Sequence, residues 1–137
     1  MIPLTIGKCK IDILPIVSGL SQYADDVSKV YGNYEAYGVS LGIEAIEAVK
    51  KREEIGIENV EVSEIDIAYS HKMAEFGDVQ VPSPAFCEIV DRCSADEMNV
   101  IPLDMNDYDF DTVYLECVKA TEFTSVHRLA KKGFKKK

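Results

Sequence analysis

Two short polar clusters hold the residue types that could do chemistry. The first, Asp66-Ile67-Ala68-Tyr69-Ser70-His71, contains one of only two histidines in the chain. A neutral imidazole beside carboxylates takes up zinc or manganese, or gains proton affinity from the neighbouring charge. The second is Asp104, Asn106 and Asp107. Its carboxylates can hold a hard cation or serve as acid and base. Each cluster also has a plainer reading. His71 suits a cap or a surface turn, and Asp and Asn suit strand-to-helix turns and helix N-caps.

Other chemistries find no motif. The chain has neither a P-loop nor a G-x-G-x-x-G, so phosphate-cradling nucleotide chemistry is unsupported. No serine sits in a G-x-S-x-G elbow. Asp107, Asp109 and Asp111 are spaced as in a calcium loop. Thr112 stands where that loop needs glycine, and Val118 where it needs a bidentate glutamate. The four cysteines, Cys9, Cys87, Cys93 and Cys117, form no C-x-x-C pair and match no zinc spacing. They read as free thiols in a reducing, cytoplasmic compartment.

The elements that must position these groups follow from periodicity. Residues 11–17 read as a buried strand, with Pro15 marking an edge or bulge. Ser21 caps a helix carrying Tyr23, Val27, Val30, Tyr31 and Tyr34 at helical spacing, ended by Gly32-Asn33. Residues 36–39 form a short strand. Ser40 then caps a helix with Ile43, Ile46 and Val49 on one face, which stops near Gly56. Val60 and Val62 alternate, and Ile65, Ile67 and Tyr69 alternate in shifted phase, which predicts strands broken by a bulge or turn near Ser63-Glu64. One or two helical turns fit residues 71–76, and Val79 and Val81 alternate again before Pro82.

The clearest helix has Ser83 as cap, Pro84 at its first position, and Phe86, Ile89, Val90 and Cys93 as buried stripe. Residues 100–103 form a short apolar strand. A final helix shows Phe110, Val113, Tyr114, Cys117 and Val118 at helical spacing. Strands alternate with helices, so the expected fold class is α/β, a layered and largely parallel sheet flanked by helices. In such a sheet the loops after successive strands open on one edge. That topology would gather Gln22, Asp66, His71, Asp104 and Asp107 on one side as the candidate ligand-binding set.

The order of elements resembles the start of the TraB/PrgY and ChaN-like superfamily, which includes the Tiki proteases and erythromycin-esterase-like proteins. The resemblance rests on Gly19-Leu20-Ser21-Gln22 after a strand, the helix and second strand that follow, and Ile101-Pro102-Leu103-Asp104 ending a late strand. It spans about residues 11–107. The family is marked by a G-x-x-H at the end of the first strand and a Glu at the end of the second. Here Gln22 stands in place of the histidine, and Ser40 near the place of the glutamate. The resemblance implies an α/β fold with a site at the strand ends, and it carries over no catalytic residue. The function it implies is that of a non-catalytic or cryptically active domain that binds a ligand or partner. A metal-dependent hydrolase and a structural interaction module with a basic docking tail are the alternatives.

At 137 residues the chain fits one domain, read as residues 1–126 with a basic tail at 127–137. That tail holds six of the chain's 15 cations and none of its 24 acids. The remaining body therefore carries 24 acids against nine cations, a charge of −15. Such a body repels phosphate backbones and anionic membranes, which argues against nucleic acid and membrane partners. The tail can pair with an acidic surface, so a homo-oligomer or a protein partner is expected. No leader-like N-terminus and no membrane-length apolar run is read in the sequence.

Overall fold

The structure is a computed structural model and describes residues 1–55 and 64–133. Its elements, in chain order, are β1 (Ile2–Ile6), β2 (Cys9–Ile13), α1 (Gln22–Val30), β3 (Tyr37–Val39), α2 (Ile43–Lys50), α3 (Arg52–Ile55), α4 (Glu64–Met73), α5 (Pro84–Ala95), β4 (Val100–Pro102), α6 (Asp107–Cys117) and α7 (Ala120–Gly133). The fold is mixed α/β. Among the described residues there are two separate two-stranded sheets, the antiparallel hairpin β1–β2 and the parallel pair β3–β4.

One compact core holds the centre together. Val27 of α1, Ile46 and Val49 of α2, and Ala85, Ile89, Val90 and Cys93 of α5 pack on Val39 and Val100 of the parallel pair. Each helix contributes the side chains its spacing places on one face. The α5 helix starts where Pro84 supplies a helical φ and lacks a donor that would have no partner there. A bidentate ion pair from Arg52 to Asp91 fastens α3 to the outer face of α5.

The α1–α5 contact carries a polar network. Glu88 Oε1 accepts from Ser28 Oγ at 2.6 Å and from Arg92 Nε at 2.6 Å, while Arg92 also donates to Ser28 Oγ at 3.0 Å. The Arg92 guanidinium lies over the Tyr31 ring, and Tyr31 Oη donates to Asp96. The hydrogen bond from Ser28, then that from Arg92, holds the Glu88 carboxyl below the ordinary carboxylate range. Its stabilising effect is therefore full above the unfolded value and is lost as pH falls through the lowered folded value. Glu88→Gln should remove this acid-sensitive part of stability. Its unfolding midpoint should lie below that of the wild type at neutral pH, and the two should converge on acidification. Parallel curves across the acid range would show that Glu88 is not the titrating group.

Several expectations need correction. Residues 11–17 are not a buried strand. The strand is Cys9–Ile13, exposed throughout, and it pairs with Ile2–Ile6 rather than with β3. Leu14 and Ile16 do pack on the core, but as irregular chain. Ile65, Ile67 and Tyr69 lie on a helix, α4, which runs on to Met73. Val79 makes only an isolated antiparallel bridge to Leu20. Gly42, not Ser40, is the N-cap of α2. Phe110, Val113, Tyr114 and Cys117 lie on α6 as expected, but Val118 is its extended C-cap and no residue of α6 is buried. The chain from Ser125 onward, which the sequence allows either to extend a helix or to hang free, is helical as far as Gly133. Val60, Val62 and the bulge or turn at Ser63 lie outside the described residues.

Candidate functional site

The parallel pair sets β3 beside β4, and Leu103 N–H extends its ladder by donating to Val39 O at 2.9 Å. The chain leaving β3 therefore enters α2 next to the chain leaving β4 for α6. This is the strand-end edge where the sequence placed Asp104 and Asp107. Asp104 Oδ1 accepts from Met105 N–H at 2.8 Å. Asn106 caps α6, its Oδ1 accepting from Asp109 N–H at 2.8 Å while its Nδ2 donates to Asp109 Oδ2. The Asp107 N–H donates to Glu44 Oε2 at 3.3 Å, tying α6 to the first turn of α2. Asn106 and Glu44 thus satisfy two orphan donors of one helix start, the Asp109 and Asp107 amides, and Asp104 accepts from the Met105 amide just before it. Glu44 was missed by sequence reasoning. It lies 63 residues from its partner, and no local pattern announces such a contact.

The remaining candidates sit elsewhere. Gln22 is the first residue of α1 and is exposed. His71 is exposed in the last turn of α4, so it does not follow a strand end as expected. Asp66 is on α4, and its side chain lies outside the described residues. Among the described residues, no hydrogen bond or ion pair joins any two of Gln22, His71, Asp104 and Asp107. No three His, Cys, Asp or Glu side chains of the described residues stand together as a metal site requires.

Residues from the His71 cluster do line a small cleft. Tyr69 and Ser70 face Ser18, Gly19, Gln80, Val81 and Ser83 around about 90 Å³. Tyr69 Oη donates to Ser18 O at 3.1 Å, and the buried Ser83 Oγ accepts from Gly19 N–H at 3.1 Å. The sequence marked Ser83 as the cap of α5, but its side chain makes no bond to its own helix. The hydroxyl instead secures a loop 64 residues away. The cleft has room for a few waters.

All four cysteines are free, with Cys93 buried, Cys87 half-buried and Cys9 and Cys117 exposed. Burial pushes the Cys87 and Cys93 thiols up, which favours the protonated, unreactive form. No described helix is long and apolar enough to cross a membrane. No protein-family model, curated protein or solved structure matches the chain.

Proposed function

We propose that the chain is a binding domain of the TraB/ChaN-like type that acts by holding a polypeptide partner rather than by turning over a substrate. One observation carries this reading. Helix α6 has apolar residues on two sides, Phe110 and Val113 on one and Tyr108 and Leu115 on the other, and Tyr108 and Leu115 are each 80% exposed. Phe123, Val126 and Leu129 of α7 form a further exposed apolar row. Covering such surface is favourable by about 25 cal/mol per Å², and contiguous exposed apolar surface marks interaction sites.

Charge limits the partner's chemistry. Asp107, Asp109 and Asp111 lie on α6, while Arg128, Lys131 and Lys132 lie on the second half of α7. An apolar segment with one basic and one acidic end matches that pattern. In this reading the parallel β3–β4 pair, with Leu14 and Ile16 packed on the same core, represents a layered, largely parallel sheet flanked by helices. Four free thiols suit a cytoplasmic setting.

A photo-reactive side chain at Leu115 or Phe123 should give one adduct of defined mass in the native cell. Reversing the charge of Arg128, Lys131 and Lys132 together should abolish it. Zinc or manganese should leave the thermal midpoint of the wild type and of His71→Ala unchanged. A midpoint raised by metal in the wild type alone, with no adduct at either position, would return the metal-dependent hydrolase to first place.

A further inference from the structure

We infer that the cleft between α4 and the start of α5 is a binding site for a primary carboxamide, carried by a small neutral molecule or by an asparagine or glutamine side chain. This goes beyond the α6–α7 reading and uses a different part of the molecule. The cleft encloses about 90 Å³, about three times a water molecule's share of liquid volume. Ser18, Tyr69, Ser70, Gln80 and Ser83 are among its walls, and no charged side chain lines it.

The bonds already made there fix which polar groups are left over. Ser83 Oγ accepts from Gly19 N–H at 3.1 Å, so its own hydrogen is the free end. That serine is only 7% exposed, and its hydrogen meets no acceptor among the described residues. Gln80 Nε2 donates to Asp78 Oδ2 at 2.9 Å. A carboxylate only accepts, so the Gln80 amide must present its nitrogen to Asp78, and Oε1 remains as an acceptor. Tyr69 Oη gives its hydrogen to Ser18 O at 3.1 Å and keeps its lone pairs. The cleft is thus left with one buried donor and two acceptors, while the Ser18 and Ser70 hydroxyls can serve as either.

A primary carboxamide is the complement of that set. Its carbonyl oxygen accepts from Ser83, and its nitrogen carries two hydrogens for Gln80 and Tyr69. Other small groups leave something unpaired. A carboxylate has no hydrogen for the two acceptors and meets no cation, with Asp78 close behind Gln80. An ammonium offers no acceptor to Ser83, and a buried donor without one weakens binding. Waters could satisfy these groups singly, but one carboxamide does so without immobilising several molecules.

Amide-resolved nuclear magnetic resonance of the full chain, titrated with acetamide, tests this. The Gly19, Gln80 and Ser83 amide signals should move together and saturate, with a dissociation constant of about 1–10 mM for so small a ligand. Acetate and methylammonium at the same concentrations should leave them in place. Gln80→Met removes the acceptor from an exposed side chain and keeps the backbone bond to Gly19 O, so the fold is retained. It should weaken acetamide about three- to tenfold. Ser83→Ala, measured below its own unfolding midpoint, should weaken it at least as much. A tripeptide with central glutamine, blocked ends and no other primary amide identifies the source. Saturable shifts of the same signals assign the carboxamide to a polypeptide side chain, and shifts with acetamide alone assign it to a small molecule; both uphold the site. Unmoved signals with acetamide overturn the inference, and so do equal shifts with acetate or methylammonium. Wild-type affinity in both Gln80→Met and Ser83→Ala overturns it as well, since the cleft then holds only water. None of these results bears on adducts at Leu115, so the α6–α7 reading stands or falls separately.

Discussion

Gly42→Ala should destabilise the protein by about 1–3 kcal/mol, the usual cost of forcing extra volume into a packed site. The backbone itself gives no reason for glycine, since φ −70° and ψ 166° suit any residue. The obstacle is the neighbour. A Cβ at this position would sit 2.5 Å from Met105 O and 3.5 Å from Met105 C. Those are backbone atoms of the loop after β4, and they can retreat only if the loop moves. Movement there separates α2 from α6 and strains the Glu44–Asp107 hydrogen bond.

Gly38→Ala is the control. Its Cβ would meet Leu103 Cδ1 at 2.9 Å, a closer contact than most, but with the end of a side chain that is 68% exposed. That leucine can rotate into solvent, so the loss should stay within about 0.5 kcal/mol. Denaturant midpoints of the two variants give the comparison. Equal losses would mean that the loop after β4 yields as readily as a leucine side chain, and that the α2–α6 junction is not rigid.

The core elements were legible because each carries its own local signal. Ser83-Pro84 followed by Ile89, Val90 and Cys93 announces the start and the buried face of α5, and both are observed. The strands at Tyr37–Val39 and Val100–Pro102 are short apolar runs between turn residues, and they pair in parallel. Helix α4 was misread because Ile65, Ile67 and Tyr69 mimic strand alternation. Its helix formers, Glu64, Ala68, Lys72 and Met73, spoke for the correct state. The hairpin had a usable signal that went unread. Gly7-Lys8 separates two alternating runs by two residues, and Gly7 adopts φ +61°, as such a tight turn demands.

The candidate site was legible to the same degree as its elements. Asp104 and Asp107 fall at a strand end because β4 was read correctly, and the bonds there are those of a helix cap. His71 does not join them, since a residue placed after a strand was in truth inside a helix. The α6 stripe shows a different limit. Periodicity fixes which side chains share a face, and it says nothing about whether anything covers that face.

The loop before α1 should prove as sensitive as Gly42. Gly19 N–H donates to Ser83 Oγ, Gln80 N–H donates to Gly19 O at 2.8 Å, and Ser21 N–H donates to Asp78 O at 3.0 Å. Together these bonds hold residues 18–21 against the chain entering α5. Ser83→Ala removes the acceptor of a buried amide, which costs about 1–3 kcal/mol when nothing replaces it. Gly19→Ala should cost more. Its φ of +87° adds about 1–2 kcal/mol of strain for any residue with a Cβ. That Cβ would also press on Val79 Cγ1 at 3.1 Å and Gln80 O at 3.3 Å. The two losses should not add, because both substitutions disturb the same bond, so the double variant should fall short of their sum. Tyr69→Phe, which removes only the exposed bond to Ser18 O, should cost about 1 kcal/mol or less. The cleft beside Ser83 supplies the competing outcome, since water entering it could take over the Gly19 amide. Both Gly19 and Ser83 are buried, which favours the full loss. A Ser83→Ala variant that unfolds at the wild-type midpoint would show that water had replaced the hydroxyl and that the cleft, not the serine, is the adaptable part of this junction.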